Sequence, residues 1–171
     1  MKKIKVKTLV ASLLVIQTLA AQNPAISTVY SDREIVQMVE QYRSAKAHDV
    51  KPSSELKEKF RSDFPKALFA EWETANGIYE VEFFIRFREF EVLYDTKGNL
   101  LVVIEQIRSS VLPAVVKNAA QAKYPKYKFD DIYKIRRGTE TVYKMEMEKG
   151  KMEVKLFVNS EGVVLEERFV Y

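Results

Sequence analysis

The 171-residue chain has no cysteine, a single histidine, and 28 Lys and Arg against 24 Asp and Glu, a formal net charge of +4. Four of those lysines (Lys2, Lys3, Lys5 and Lys7) sit at the extreme N-terminus. The rest of the chain balances at 24 against 24, which excludes the basic field that a nucleic-acid partner needs. Without cysteine there is no disulfide framework, so stability must come from an ordinary core, which an aromatic content of 12% can supply.

The N-terminal lysines precede an uncharged apolar run from Thr8 to Ala21 that closes in Leu19-Ala20-Ala21-Gln22. A charged start, a short apolar stretch and small residues before a cut after Ala21 make residues 1–21 a signal peptide. The run falls short of the roughly 20 residues that span a bilayer, and no Cys follows it to carry a lipid. The expected product is a periplasmic or secreted protein with no stable membrane insertion after cleavage. Residues 22–52 then hold a tether and one amphipathic helix. Ser31 with Glu34 has capping-box form, and Ile35, Met38, Val39 and Tyr42 follow at helical spacing, predicting a helix over about 32–46.

After Ala47–Pro52 breaks the pattern, Ser53 and Ser54 offer a cap for a second helix. Leu56, Phe60 and Phe64 form its apolar ridge, and Pro65 ends it. Ala67 to Thr74 reads as a strand carrying Phe69 and Trp72, and Asn76-Gly77 is a hairpin signal. From Gly77 to Glu105, apolar residues alternate with Glu80, Glu82, Glu89 and Glu91, the two-residue period of strands with one wet face. Asp95 to Asn99 supplies the reversal. Ser109-Ser110 should open a third helix, with Pro113 in its first turn, Val115, Val116, Ala119, Ala120 and Tyr124 on its buried side, and Pro125 at its end. Four more strands, at about 127–136, 140–148, 151–158 and 163–170, complete the chain.

The second half repeats the first. An offset of 64 places Tyr79 on Tyr143, Glu82 on Glu146, Glu89 on Glu153, Asp95 on Asn159, Gly98 on Gly162 and Leu101 on Leu165. The helix ends Phe64-Pro65 and Tyr124-Pro125 correspond at an offset of 60. The expected fold class is therefore α+β. Two tandem units, 53–108 and 109–171, each hold one helix and a four-stranded antiparallel meander. They join into an extended or paired sheet with helices on one face, plus the extra N-terminal helix.

The run Phe64-Pro65…Trp72…Tyr79-Glu80-Val81…Tyr94-Asp95…Gly98-Asn99-Leu100, then Leu112-Pro113…Tyr124-Pro125…Tyr143 and Asn159…Gly162, resembles the PepSY-like family of exported bacterial proteins. That family, common in Bacteroidetes, is also described as β-lactamase-inhibitor-protein-like (BLIP-like). The resemblance covers about 53–171 and leaves 23–52 outside its pattern. It implies the fold, a periplasmic address and, as a suggestion carried by the fold, inhibition of a protease or hydrolase; fold does not fix function.

The residues themselves argue against an enzyme. His48 lies in a polar stretch between two helices, with neither the companions of a zinc site nor a nucleophile setting. No Gly-rich loop could hold a phosphate. The carboxylates Glu80, Glu82, Glu89, Glu91, Glu146, Glu148 and Glu153 stand among Lys144, Lys151 and Lys155 as expected for cross-strand ion pairs on a solvated face. Asp95–Asn99 lacks the carboxylates of a Ca²⁺ loop. Neither a cofactor nor a metal is expected.

One place departs from this pattern. Where the second unit turns with Glu148-Lys149-Gly150-Lys151, the first has Phe84-Ile85-Arg86-Phe87, followed by Arg88. Two readings stay open: longer strands or the N-terminal helix cover these residues, or they form a recognition tip of aromatic anchors flanked by arginines. Trp72 is a second binding candidate, although core packing suits it as well; Tyr79 and Tyr143 should be core. The expected function is a non-enzymatic periplasmic module that binds an envelope or periplasmic protein, and the alternative is a carrier of a small hydrophobic ligand or lipid. Unpaired sheet edges leave homodimerisation open.

Overall fold

The computed structural model describes residues 31–170, so the expected signal peptide and the expected tether up to Tyr30 lie outside the described residues. The order is α1 (Asp32–Arg43), β1 (His48–Asp49), α2 (Ser54–Asp63), β2 (Leu68–Ala75), β3 (Ile78–Ile85), β4 (Arg88–Asp95), β5 (Leu100–Gln106), α3 (Ala114–Lys123), β6 (Lys128–Arg137), β7 (Glu140–Lys149), β8 (Met152–Asn159) and β9 (Val164–Val170). All nine strands join one antiparallel sheet in sequence order. Of the two arrangements expected, an extended and a paired sheet, the chain adopts the extended one.

The register assigns the faces. Neighbouring residues of a strand point to opposite sides, and Val92 belongs to the core under α2 while Leu93 belongs to the core under α1. Likewise Tyr143, Met145 and Met147 meet α3, whereas Val142 meets α1. Cross-strand pairs carry this assignment through the middle, Ile104 with Ile135 on the α1 side and Val103 with Arg136 on the other. Thus α2 and α3 share one face, as expected of the two units, and α1 lies alone on the opposite face, over the join between β5 and β6.

The local chemistry explains each helix start. Glu34 N–H donates to Ser31 Oγ while Ser31 N–H donates to Glu34 Oε2 at 2.7 Å, a complete capping box. The ridge Ile35, Val36, Val39 and Tyr42 is fully buried. Ser53 Oγ accepts from Leu56 N–H at 3.2 Å and caps α2. The third helix differs from expectation. Ser109-Ser110 forms a turn, and Pro113 stands at the N-cap with no side-chain bond. The chain must first return along the sheet, because α3 has to start beside the turn at Gly162, against which Val115 packs.

The repeat recurs in bond geometry. Asp95 N–H donates to Asn99 O and Gly98 N–H to Asp95 O, each at 3.0 Å; Asn159 with Val163 and Gly162 with Asn159 reproduce the pair at 3.0 and 3.1 Å. Asp95 Oδ1 and Asn159 Oδ1 each accept two backbone N–H groups of their turns. Phe64 and Tyr124 end their helices with φ/ψ of −131/67 and −127/64. Bulges fall at Leu68/Glu71 and Phe129/Ile132, then at Leu93/Tyr94 and Phe157/Val158.

The two turn glycines predict unequal responses. Gly98 and Gly162 have φ of +78° and +86°, so an alanine pays the left-handed penalty at either. A methyl at Gly98 would meet Leu56 Cδ1 at 3.8 Å, whereas one at Gly162 would sit 2.8 Å from Val115 Cγ2 and 3.1 Å from Val115 O. Gly162→Ala should therefore cost about 2–3 kcal/mol against about 1 kcal/mol for Gly98→Ala in urea unfolding. Equal costs would show that the close approach of α3 adds nothing.

Candidate functional site

The tip between β3 and β4 is built from unusual residues for its backbone. Arg86 and Phe87 form a two-residue turn with φ of +50° and +64°. This is the left-handed geometry that tight hairpins give to Asn and Gly. The matching turn between β7 and β8 uses Gly150 for it. Phe87 is fully exposed, at 102%. Neither longer strands nor α1 cover it, because the strands turn here and α1 packs on the middle of the sheet.

A second apolar projection stands beside this tip. Leu68 pairs with Phe84 across β2 and β3, and the bulge that follows leaves Phe69 with φ of +57° and 81% exposed. Leu68, Phe69, Phe84, Ile85, Arg86 and Phe87, with Lys66, enclose an open cleft of about 470 Å³. Sequence reasoning placed Phe69 inside a plain strand and missed its exposure; alternation of residue types carries no mark of a bulge. Phe84 and Ile85 are half-buried in the cleft wall, and Arg86 is exposed. Arg88 flanks the tip, exposed, and also makes contacts within the fold. Its guanidinium lies 5.5 Å from the Phe90 ring centre and 2.5 Å from Glu105 Oε1.

Trp72 is half-buried, between the core and an open cleft. Its ring packs edge-on against Phe60 at 5.4 Å, inside the α2 core. It also lines a second open cleft, of about 700 Å³, between α2 and the outer rim of β2. Lys51, Lys57 and Arg61 border that cleft, with Phe64 and Ala70 in its walls. Tyr143 is buried as expected; Tyr79 is only partly so.

The carboxylates depart from the expected wet face. Glu91 is buried, and Arg43 at the end of α1 pairs with it. Glu80 lies beside it, below the buried hydroxyl of Tyr42. Burial first, then the hydrogen bond to Glu91 and its charge, raise the Glu80 carboxyl from 4.5 to about 7. Glu82 is raised in the same direction by burial and by the charges of Glu89, Glu91, Glu71 and Glu73. In the second unit Lys144, itself buried, contacts Glu146 Oε1 at 2.7 Å, with Lys155 3.4 Å away. Those lysines hold Glu146 below its ordinary range against the opposing effect of burial. The solvated ion-pair face is thus half covered, because the C-terminal turn of α1 lies on it. His48, read as a solvated loop residue, is exposed but belongs to the short edge strand β1, opposite Thr74.

Among the described residues, no helix is long and apolar enough to cross a membrane, and no group of three or more His, Cys, Asp or Glu could hold a metal ion. A comparison with curated proteins finds no match. Solved structures do match. A DUF2874 family protein from Bacteroides ovatus is 18% identical, with a TM-score of 0.65 over 70% of this chain and 89% of its own. A BLIP-like protein from Bacteroides fragilis is 26% identical, with a TM-score of 0.63 over 71% and 88%. A protein from Bacteroides eggerthii described as "putative periplasmic" is 14% identical, with a TM-score of 0.67 over 70% and 90%. The family model described as "Putative beta-lactamase-inhibitor-like, PepSY-like" matches twice, over residues 35–102 and 103–166. The first match begins inside α1, so most of that helix falls within the family pattern instead of outside it. Two matches that together span most of the chain, on a shared sheet architecture, make this protein a member of the PepSY-like, β-lactamase-inhibitor-like family.

Proposed function

We propose that the protein is a non-enzymatic binding module of the periplasm that grips another envelope protein with the tip formed by Phe69 and Phe84–Phe87. The observation that carries this reading is Phe87, wholly in solvent on a left-handed backbone that a glycine would adopt at no cost. Phe69 repeats the combination on the adjoining bulge. Exposed aromatic rings on strained turns lower stability and solubility together, and a partner that buries them supplies the compensation. Inhibition of a hydrolase is one form such gripping could take, by analogy with the family's name. The carrier reading gains less support, because both clefts open onto solvent.

The test uses two variants. Phe69→Ser with Phe87→Ser should abolish retention of the partner in an envelope pull-down while leaving the melting temperature within a few degrees, since both side chains lie mostly in water. Arg86→Asn with Phe87→Gly should raise stability by about 1–2 kcal/mol, because both turn residues then suit their φ, and should still lose the partner. Undiminished capture by both variants would overturn the reading.

A further inference from the structure

We infer that the cleft between α2 and β2 receives an extended acidic segment of the partner protein, one of whose apolar side chains enters the adjoining tip cleft. This rests on the contact reading above and specifies the chemistry of the partner. Five cations, Lys51, Lys57, Arg61, Lys66 and Arg86, line the two clefts, and no carboxylate does. No ion pair is found for any of the five among the described residues. In a chain whose charges balance beyond the N-terminal lysines, that is a localised positive site. The reverse side of the same strands carries Glu71, Glu73, Glu80 and Glu82, while Glu89 stands opposite Phe84 at the edge of the tip cleft. An acidic segment is therefore attracted to one face and repelled from the other.

The form of the site selects an extended polypeptide. β1 pairs with β2 only at His48–Thr74 and Asp49–Glu73, and Val50 N–H adds one bond to Trp72 O at 3.0 Å. Pro52 has no N–H with which to continue the ladder. The rim of β2 from Ala70 back to Leu68 is left beside the cleft, and Ala70 keeps its wall low. The apolar floor of Phe60, Phe64 and Trp72 runs under this rim toward Phe69 and Ile85. The cations are spread along that path: Lys57 and Arg61 one helical turn apart on α2, Lys66 and Arg86 at the tip end. A lipid carries its anionic group at one end of an apolar tail, whereas an acidic peptide carries carboxylates along its length, matching the cations spread along this site.

Fluorescence anisotropy of an eight-residue peptide of four Glu, two Phe and two Ser, carrying a neutral dye, tests the inference. The peptide should bind at micromolar concentration and weaken as salt rises from 0.05 to 0.3 M. Affinity should fall by about ten-fold or more in Lys57→Glu with Arg61→Glu, and by less in the milder Lys57→Gln with Arg61→Gln. The same peptide with Lys for Glu should not bind. Equal binding of the two peptides, no binding at 1 mM, or unchanged affinity in the charge-reversed variant overturns the inference. So does capture of phosphatidylglycerol vesicles that depends on Lys57 and Arg61, which would assign the site to lipid. In the envelope pull-down, a partner lost by the tip variant but kept by the charge-reversed one sinks only the acidic segment; a partner kept by both sinks the contact reading too.

Discussion

Phe83→Ala is expected to destabilise the protein by about 3–5 kcal/mol, lowering the melting temperature by roughly 10 °C. Phe83 is fully buried, and its ring centre lies 5.0 Å from that of Phe60, 4.9 Å from Phe64 and 5.7 Å from Phe90. Its removal leaves three rings around a void that the sheet cannot close, because β3 is held on both sides. The sharper expectation concerns cooperativity. The ladder runs unbroken from β5 to β6, and α1 bonds to both halves. It reaches Glu91 through Arg43 in the first, and Asn159 and Arg168 through Asp32 and Glu40 in the second. Trp72, the only tryptophan, reports on the first half alone. Leu156→Ala, a fully buried change in the second half, should lower the Trp72 fluorescence midpoint and the far-ultraviolet circular dichroism midpoint together. A tryptophan midpoint that stays in place while the dichroism midpoint falls would mean that the halves unfold separately.

The parts of this fold that were legible in the sequence are those written in local chemistry. The Asp95–Asn99 and Asn159–Gly162 turns, the Phe64-Pro65 and Tyr124-Pro125 helix ends and the Ser31 capping box each encode a bond pattern within a few residues, and each forms as read. What was not legible depends on contacts far apart in sequence. The spacing of Ile35, Val39 and Tyr42 shows that α1 has a buried ridge, but not which face of the sheet receives it. For the same reason Glu80 and Glu91 were read as solvated: alternation with apolar residues tells that they point away from the α2 core, and only Tyr42 and Arg43, 38 and 48 residues earlier, cover them. The tip was legible because Phe84–Phe87 stands where its twin has Gly150. Its neighbour Phe69 was not, because a bulge changes the direction of a side chain without changing the residue types around it.

Glu80→Gln should remove most of a pH dependence that the wild-type protein shows between about pH 4.5 and 7. The fold favours the neutral carboxyl, raising it to about 7 from an ordinary 4.5. In that window the folded chain holds a proton that the unfolded chain has released, so stability falls as pH rises through it and the loss is complete above about 7. Charge on Glu80 is unfavourable there first because burial removes water and then because Glu91 stands beside it, and Arg43, shared with Glu91, offsets only part of this. Glutamine keeps the size and the hydrogen-bonding capacity without the charge. The variant should match the wild type near pH 4.5 and exceed it at pH 8 by about 1–2 kcal/mol, a figure reduced for the water that the partly exposed carboxyl still meets. A weaker slope of the same sign should persist in the variant from Glu82, which faces Glu71, Glu73, Glu89 and Glu91. Carboxylates held low, such as Asp95 and Glu146, act in the opposite sense and lose their contribution at more acidic pH, so urea unfolding at pH 5, 6, 7 and 8 isolates the Glu80 effect. A variant less stable than the wild type at pH 8 would show that Glu80 is ionised and favourably paired under α1, and that charge attraction to Arg43 outweighs burial and the charge of Glu91.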